Sequence, residues 1–234
     1  MLEDLILKIS EKTENLVIVL EAGSAIDASA WIGKVKAVLY TGFAGEAINR
    51  AAADILVGQV CPSGRLSETF PVCVQDTPTG LERGDGYSER YKEGVLVGYR
   101  HYDTNKIPVQ FPFGFGLSYA KFEYSNFAVD KKSAFEYEIS FTVKNVSSVD
   151  GAEVAQLYVR NVDKCVERPD KELRRFEKAY LKAGEEKRIS FVTDKDCFAY
   201  FSVCHGDWTA HSGRYELLVC RDANTVEYAQ KIKI

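Results

Sequence analysis

Phe135-Glu136-Tyr137-Glu138-Ile139-Ser140-Phe141-Thr142-Val143 puts an apolar side chain at every second position and a polar or charged one between. That period of two belongs to a pleated strand with one buried and one wet face. Downstream, Val154, Gln156, Tyr158 and Arg160 alternate with Ala155, Leu157 and Val159 in a second candidate strand. Further strand-like runs occupy 173–181, 187–192, 214–220 and 226–234. Turn signals such as Ala183-Gly184-Glu185 and Ser212-Gly213 separate them. About seven short strands in roughly 115 residues predict a β-sandwich.

The chain changes character upstream of about residue 120. Leu5, Ile6 and Ile9 recur at helical spacing within Glu3–Lys12. Leu16–Leu20 and Val35–Tyr40 are uninterrupted apolar runs stopped by Gly23 and Gly42, as suits strands buried on both faces of a parallel sheet. Glu46–Leu56 is alanine-rich, carries an acid in its first turn and is followed by Gly58, which predicts a helix. Strand, helix, strand and helix indicate an α/β layer with right-handed crossovers. Two strands are fewer than an open sheet usually has, so part of this layer is expected to be absent, leaving an open edge near 16–20 or 35–40. The expected division is a partial α/β domain at 1–70, a connecting segment at 71–119, and an immunoglobulin-like or fibronectin-III-like sandwich at 120–234.

The connecting segment is punctuated by Pro78, Gly80, Gly84, Gly86, Pro108, Pro112, Gly114 and Gly116, with one strand expected at Val95–Tyr102. Its aromatic side chains, from Tyr87 to Tyr119, are too many for a floppy linker and are expected to pack against both neighbours.

Composition excludes some functions. The 234 residues carry a formal net charge of −4 with no basic stripe, which argues against nucleic acid as partner. No apolar run approaches the ~20 residues of a membrane span, so no membrane partner is expected. The first eight residues lack the basic start and long apolar stretch of a signal peptide. Six cysteines, Cys61, Cys73, Cys165, Cys197, Cys204 and Cys220, form no CxxC pair and suit buried free thiols, which favours the cytoplasm.

Four motifs bear on activity. ADILVGQVCPSGRLSETFP at 53–71, YKEGVLVGYRHYD at 91–103, FPFGFGLSY at 111–119 and PDKELRRF at 169–176 (followed by LKAGE at 181–185) occur in order. Together they resemble the C-terminal region of family 3 glycoside hydrolases, the β-glucosidase type. Phe43-Ala44-Gly45-Glu46-Ala47 and Glu68 depart locally from the family pattern. The resemblance implies a retaining β-glycosidase acting on oligosaccharides or glycosides, its full form adding a (β/α)₈-type barrel and the rest of the α/β domain. It also implies no cofactor. Sugar preference is then set mainly by the barrel.

Such an enzyme needs two carboxyl groups, one attacking the anomeric carbon and one protonating the leaving oxygen. By the resemblance, the nucleophilic Asp lies on the barrel and the acid/base Glu precedes the segment beginning at Leu16. Both are expected outside this chain, so no catalytic, cofactor-binding or metal residue is assigned here.

Other carboxylates have plainer readings. Glu46 reads as a helix-start charge, Glu93 as an anchor with Tyr91 and Arg100, Asp103 as a turn residue, and Glu68 as a carboxylate near aromatics. His101, His205 and His211 are too few and badly placed for a three-ligand zinc site. Gly114 and Gly116 read as turn glycines rather than a phosphate loop, and Ser63 and Ser118 have no readable base. Trp31 and Trp208 have the flat faces that stack on sugars, although packing is the plainer role. The alternative reading is a non-catalytic carbohydrate- or protein-binding module. A third is a rearranged order with the barrel downstream of Ile234.

Overall fold

The computed structural model describes residues 2–80, 87–88, 91–164 and 166–234; Cys165, Gly84 and Gly86 lie outside them. Helix α1 spans Leu2–Ser10, with Glu3 and Asp4 in its first turn and Lys8 in its last, charges that complement the helix dipole. Strands β1 (Val17–Leu20) and β2 (Ala37–Tyr40) pair in parallel from Val17↔Ala37 to Leu20↔Tyr40. Trp31 is buried in the crossover between them. Helix α2 runs Ile48–Leu56, with Glu46 and Ala47 in the turn before it.

The expected open edge is present. Among the described residues, β1 and β2 form a two-stranded sheet by themselves, and β1 alternates exposed and half-buried instead of being enclosed.

Strand β3 (Phe70–Pro71) pairs antiparallel with β4 (Val109–Phe111). Between them, the strand expected at Val95–Tyr102 is instead a turn and then helix α3, Tyr99–Asn105. Gly98 adopts φ 58°, ψ −134° just before the helix, and Lys106 closes the helix in the left-handed conformation. The β-branched residues lie before the helix, and tertiary contacts of Tyr99, Asp103 and Thr104 hold the segment after Gly98 in helical form.

Among the described residues the sandwich holds nine strands: β5 (Phe122–Lys131), β6 (Tyr137–Asn145), β7 (Gly151–Asn161), β8 (Glu172–Leu181), β9 (Glu186–Val192), β10 (Tyr200–Ser202), β11 (Asp207–Thr209), β12 (Arg214–Cys220) and β13 (Val226–Lys233). Seven make the two facing sheets, ordered β5-β6-β9 and β13-β12-β7-β8; β10 and β11 form a separate hairpin. The period-2 reading of β6 holds: Tyr137, Ile139, Phe141 and Val143 all point into one core, with Ile139, Phe141 and Val143 at 0 % exposure. They meet Leu157 and Val159 of β7, Leu217 and Val219 of β12 and Ile189 and Phe191 of β9. A Phe141→Ala cavity here would cost about 3–5 kcal/mol.

No helix of the described residues is long and apolar enough to cross a membrane.

Candidate functional site

Two features carry functional information: an uncovered apolar face on the α/β layer, and the clasp that fixes this layer to the sandwich.

Helix α1 buries none of its residues, and Leu2, Leu5 and Ile9 of its apolar stripe are exposed. Val17 and Val19 of β1, Phe43, Leu56, Val57, Val60 and Leu117 are exposed as well. Exposed large apolar groups in this number are uncommon on a protein surface unless another surface covers them. The open hydrogen-bonding edges of the β1–β2 pair point the same way.

The clasp begins with aromatic rings. Tyr40 meets Phe70 edge-on at 5.5 Å, Phe70 meets Phe111 at 6.0 Å, and Phe111 stacks on Phe115 at 5.1 Å. Tyr119 donates its hydroxyl to the Ile55 carbonyl, tying the end of the connecting segment back to α2. On the sandwich side, Tyr99 stacks on Phe113 at 5.1 Å, meets Tyr158 edge-on and accepts a hydrogen bond from Leu173 N–H. The connecting segment thus packs against both neighbours through Tyr99, Phe111, Phe113, Phe115 and Tyr119, while Tyr87 and Tyr91, expected to pack as well, are exposed.

The glycines of 111–119 serve this packing. Gly114 has φ +82°, and a Cβ there would stand 2.5 Å from the Gln156 Nε2. A Cβ on Gly116 would stand 2.6 Å from the Gly64 carbonyl oxygen. Both positions are therefore close-approach sites.

Buried charges lock the clasp. Glu153, only 1 % exposed, accepts from Arg65, near the end of the α/β portion, and from the Tyr124 hydroxyl, with the Arg221 guanidinium 3.8 Å away. Burial pushes the Tyr124 phenol well up, and the neighbouring Glu153 charge adds to it. In the second lock, Lys171 of the sandwich donates to Asp103 of α3 at 2.6 Å. Burial raises the Asp103 carboxyl above its ordinary value, against the pull of Lys171. Beside it, Asp170 gathers Arg160, Lys106 and Lys164. Burial works against its ionisation, but these cations outweigh it and hold the carboxyl below its usual range.

The structure sorts the candidate residues. Asp103 is a buried ion-pair partner on α3, not a turn residue: its helix presses it against Lys171. Arg100 turns to Glu172, at 3.7 Å, rather than to Glu93. The Glu93 Oε2 is buried without a hydrogen-bond partner among the described residues. Glu46 is exposed ahead of α2, and Glu68 lies near enough to Tyr40 and Tyr102 to add, after burial, to the raising of their phenol pKa values. No hydrogen bond or ion pair among the described residues joins any two of these four carboxylates.

The histidines lie in different surroundings: His101 against the Asp76 carbonyl, His205 against Ser202, His211 against Tyr200. Ser118 contacts the Cys61 sulfur at 3.1 Å, and Ser63 is half-buried. The two tryptophans part company, Trp31 being 3 % exposed and Trp208 60 %.

Sequence reasoning missed Glu153, Arg65 and Lys171. Glu153 had a legible signal, since it falls in phase with Ala155, Leu157 and Val159 on the inward face of β7. A carboxylate in that phase must find a partner, because burying it alone is costly.

Comparison with known proteins places these features. The profile described as the glycosyl hydrolase family 3 C-terminal domain matches residues 2–119, and that of a fibronectin type III-like domain matches 153–223. The thermostable beta-glucosidase B of Acetivibrio thermocellus is 44% identical over 234 residues, covering 98% of this chain and 31% of that protein. The exo-alpha-(1->6)-L-arabinopyranosidase of Bifidobacterium longum is 40% identical over 213 residues, covering 91% and 28%. Among solved structures, a family 3 beta-glucosidase of Bifidobacterium adolescentis superposes with a TM-score of 0.93 at 37% identity, covering 99% of this chain and 35% of that one. The chain therefore spans about a third of the length of the relatives it matches.

Proposed function

The chain belongs to glycosyl hydrolase family 3, and on that footing we propose that it is the C-terminal part of a retaining β-glycosidase whose catalytic barrel and remaining α/β strands cover its exposed apolar face. The observation that carries this reading is helix α1, which presents Leu2, Leu5 and Ile9 to solvent and buries nothing. A free-standing binding module would have no use for such a face.

Division of labour follows from the chemistry. In a retaining enzyme one carboxylate attacks the anomeric carbon while a second carboxyl protonates the leaving oxygen, then activates water to release the sugar. We assign neither role to residues 1–234. Asp103 is committed to Lys171, Glu46 is solvated, and no ion pair or hydrogen bond couples Glu68 or Glu93 to a second carboxylate among the described residues. Residues 1–70 act as the partial α/β domain, 71–119 as the clasp and 120–234 as the stabilising sandwich.

The substrate class is O-glycosides or oligosaccharides. Relatives at 44% and 40% identity carry different sugars in their names, which supports a sugar choice made outside this chain. The described cysteines are free thiols, which supports a reducing, cytoplasmic setting.

The purified chain is expected to release no nitrophenol from a nitrophenyl β-glucoside. Co-expression with a barrel-bearing segment of a family 3 relative is expected to yield a complex that does. Hydrolysis by the chain alone overturns the proposal.

A further inference from the structure

The hairpin β10–β11 belongs to neither sheet of the sandwich, and its aromatic residues take no part in the clasp. Phe201 and Trp208 stand directly opposite each other across it, 52 % and 60 % exposed. Their ring centroids are 5.9 Å apart with planes at 78°, so the two rings form an open corner. Val203, 87 % exposed, extends the apolar surface toward the turn.

This corner is held in place. Tyr200 at the hairpin base bonds the His211 Nε2 at 3.0 Å and packs edge-on against its ring. The Arg168 guanidinium lies over Tyr200 at 5.6 Å and is itself fixed by Glu172 and the Phe198 and Ala199 carbonyls. At the tip, Ser202 and His205 close the turn through a 2.9 Å bond. A rigid frame presenting two exposed aromatic faces loses little entropy on capturing a ligand.

The charge of the hairpin narrows the ligand. From Cys197 to Gly213 there is no Lys or Arg, and Asp207 is the single carboxylate, in a chain that is 27% charged. Asp207 Oδ1 accepts from the Trp208 N–H, while its Oδ2 accepts no hydrogen bond among the described residues and is free to take a hydroxyl. The complementary partner is neutral, has a flat apolar C–H face and carries hydroxyls at its rim. A pyranose ring of an oligosaccharide has those properties, whereas an anionic lipid, nucleic acid or acidic peptide does not.

We propose that the Phe201–Trp208 corner is a carbohydrate-binding site for a neutral β-linked oligosaccharide, with Trp208 stacking on a sugar ring and Asp207 accepting one of its hydroxyls. The ligand class rests on the glycosidase reading above; the site itself rests on the hairpin geometry.

The test is titration of the chain with cellotetraose, read by calorimetry and by acrylamide quenching of tryptophan fluorescence. Trp31 is buried, so quenching reports on Trp208. Saturable binding that shields Trp208 is expected. Trp208→Ala should weaken it about tenfold or more, the loss of one stacked ring. Tyr180→Ala, which removes an exposed aromatic of β8, should leave it unchanged. Absence of saturable binding overturns the proposal, as does binding indifferent to Trp208→Ala. So does concentration-dependent self-association abolished by Trp208→Ala, which would make the corner a contact between copies. Hydrolysis by the barrel-complemented complex is read separately, so failure of the glycosidase reading and failure of the binding site give different patterns.

Discussion

The Lys171 ammonium lies 2.6 Å from the Asp103 carboxylate, with side chains 7% and 9% exposed, and this pair fastens helix α3 to the sandwich. Both charges have left water, and their mutual attraction offsets part of that cost. Thr104, next along the helix, accepts from the Asp170 N–H at 2.9 Å and extends the same contact.

Lys171→Met should therefore cost about 3–5 kcal/mol, because it strands a buried carboxylate. The double variant Asp103→Asn/Lys171→Met should recover most of that loss, since neither charge is then left alone. Urea denaturation of the wild type, both single variants and the double variant measures the cycle. A single-variant loss within the surface range of about 0–1 kcal/mol would show the pair to be solvated.

Asp170 gives the clasp a pH dependence of known sign. Its carboxyl sits below the ordinary value of 3.8, so it contributes stability that is complete above that value and is lost as pH falls through its folded-state value. The stability difference between wild type and Asp170→Asn should be flat near neutrality and shrink in acid. Asp103 works oppositely: its raised carboxyl makes ionisation costly in the folded state, so its contribution declines as pH rises past the ordinary value. Denaturation midpoints across an acid-to-neutral series separate the two.

Two glycines with similar backbone angles should respond differently to alanine. Gly184 has φ +77° and open space around it, so Gly184→Ala should cost about 1 kcal/mol of backbone strain. Gly114 has φ +82° and faces Gln156, whose amide is pinned by the Arg221 carbonyl and the Tyr158 hydroxyl, both at 2.7 Å. Gly114→Ala should cost a further 1–3 kcal/mol or so for overpacking. Thermal denaturation of the two variants tests the ordering.

Amide exchange should protect the sandwich most. Strands β6, β7 and β12 are hydrogen-bonded on both sides and enclose the shared core, while β1 and β2 have only each other. Slow amides concentrated before residue 100 would contradict this ranking.

Thiol reactivity should follow burial. Cys204 is exposed and should alkylate in the native state. Burial pushes the Cys220 thiol up to about 12 and also raises that of Cys197, so both should react only on unfolding. Mass spectrometry of the native and the denatured alkylated chain distinguishes them.

Local pattern carried the fold where burial is one-sided and periodic. The alternation of Tyr137, Ile139, Phe141 and Val143 is the pattern of a strand on a single core, and the structure follows it residue by residue. It failed at Val95–Tyr102, where β-prone residues end at Gly98 and long-range contacts of Tyr99 and Asp103 favour a helix. The hairpin at 200–209 leaves no periodic signal in the sequence, because three-residue strands are too short to show a period.

By itself, the sequence determined the two architectures, their order along the chain, the shortage of strands in the first and the family motifs that link them, because each depends on neighbours a few residues apart. Only the tertiary structure decided which charges meet. Asp103 and Lys171 are separated by 68 positions, Arg65 and Glu153 by 88. No periodicity encodes such pairs; they exist because the chain, once folded, must neutralise whatever polar groups its packing has taken out of water.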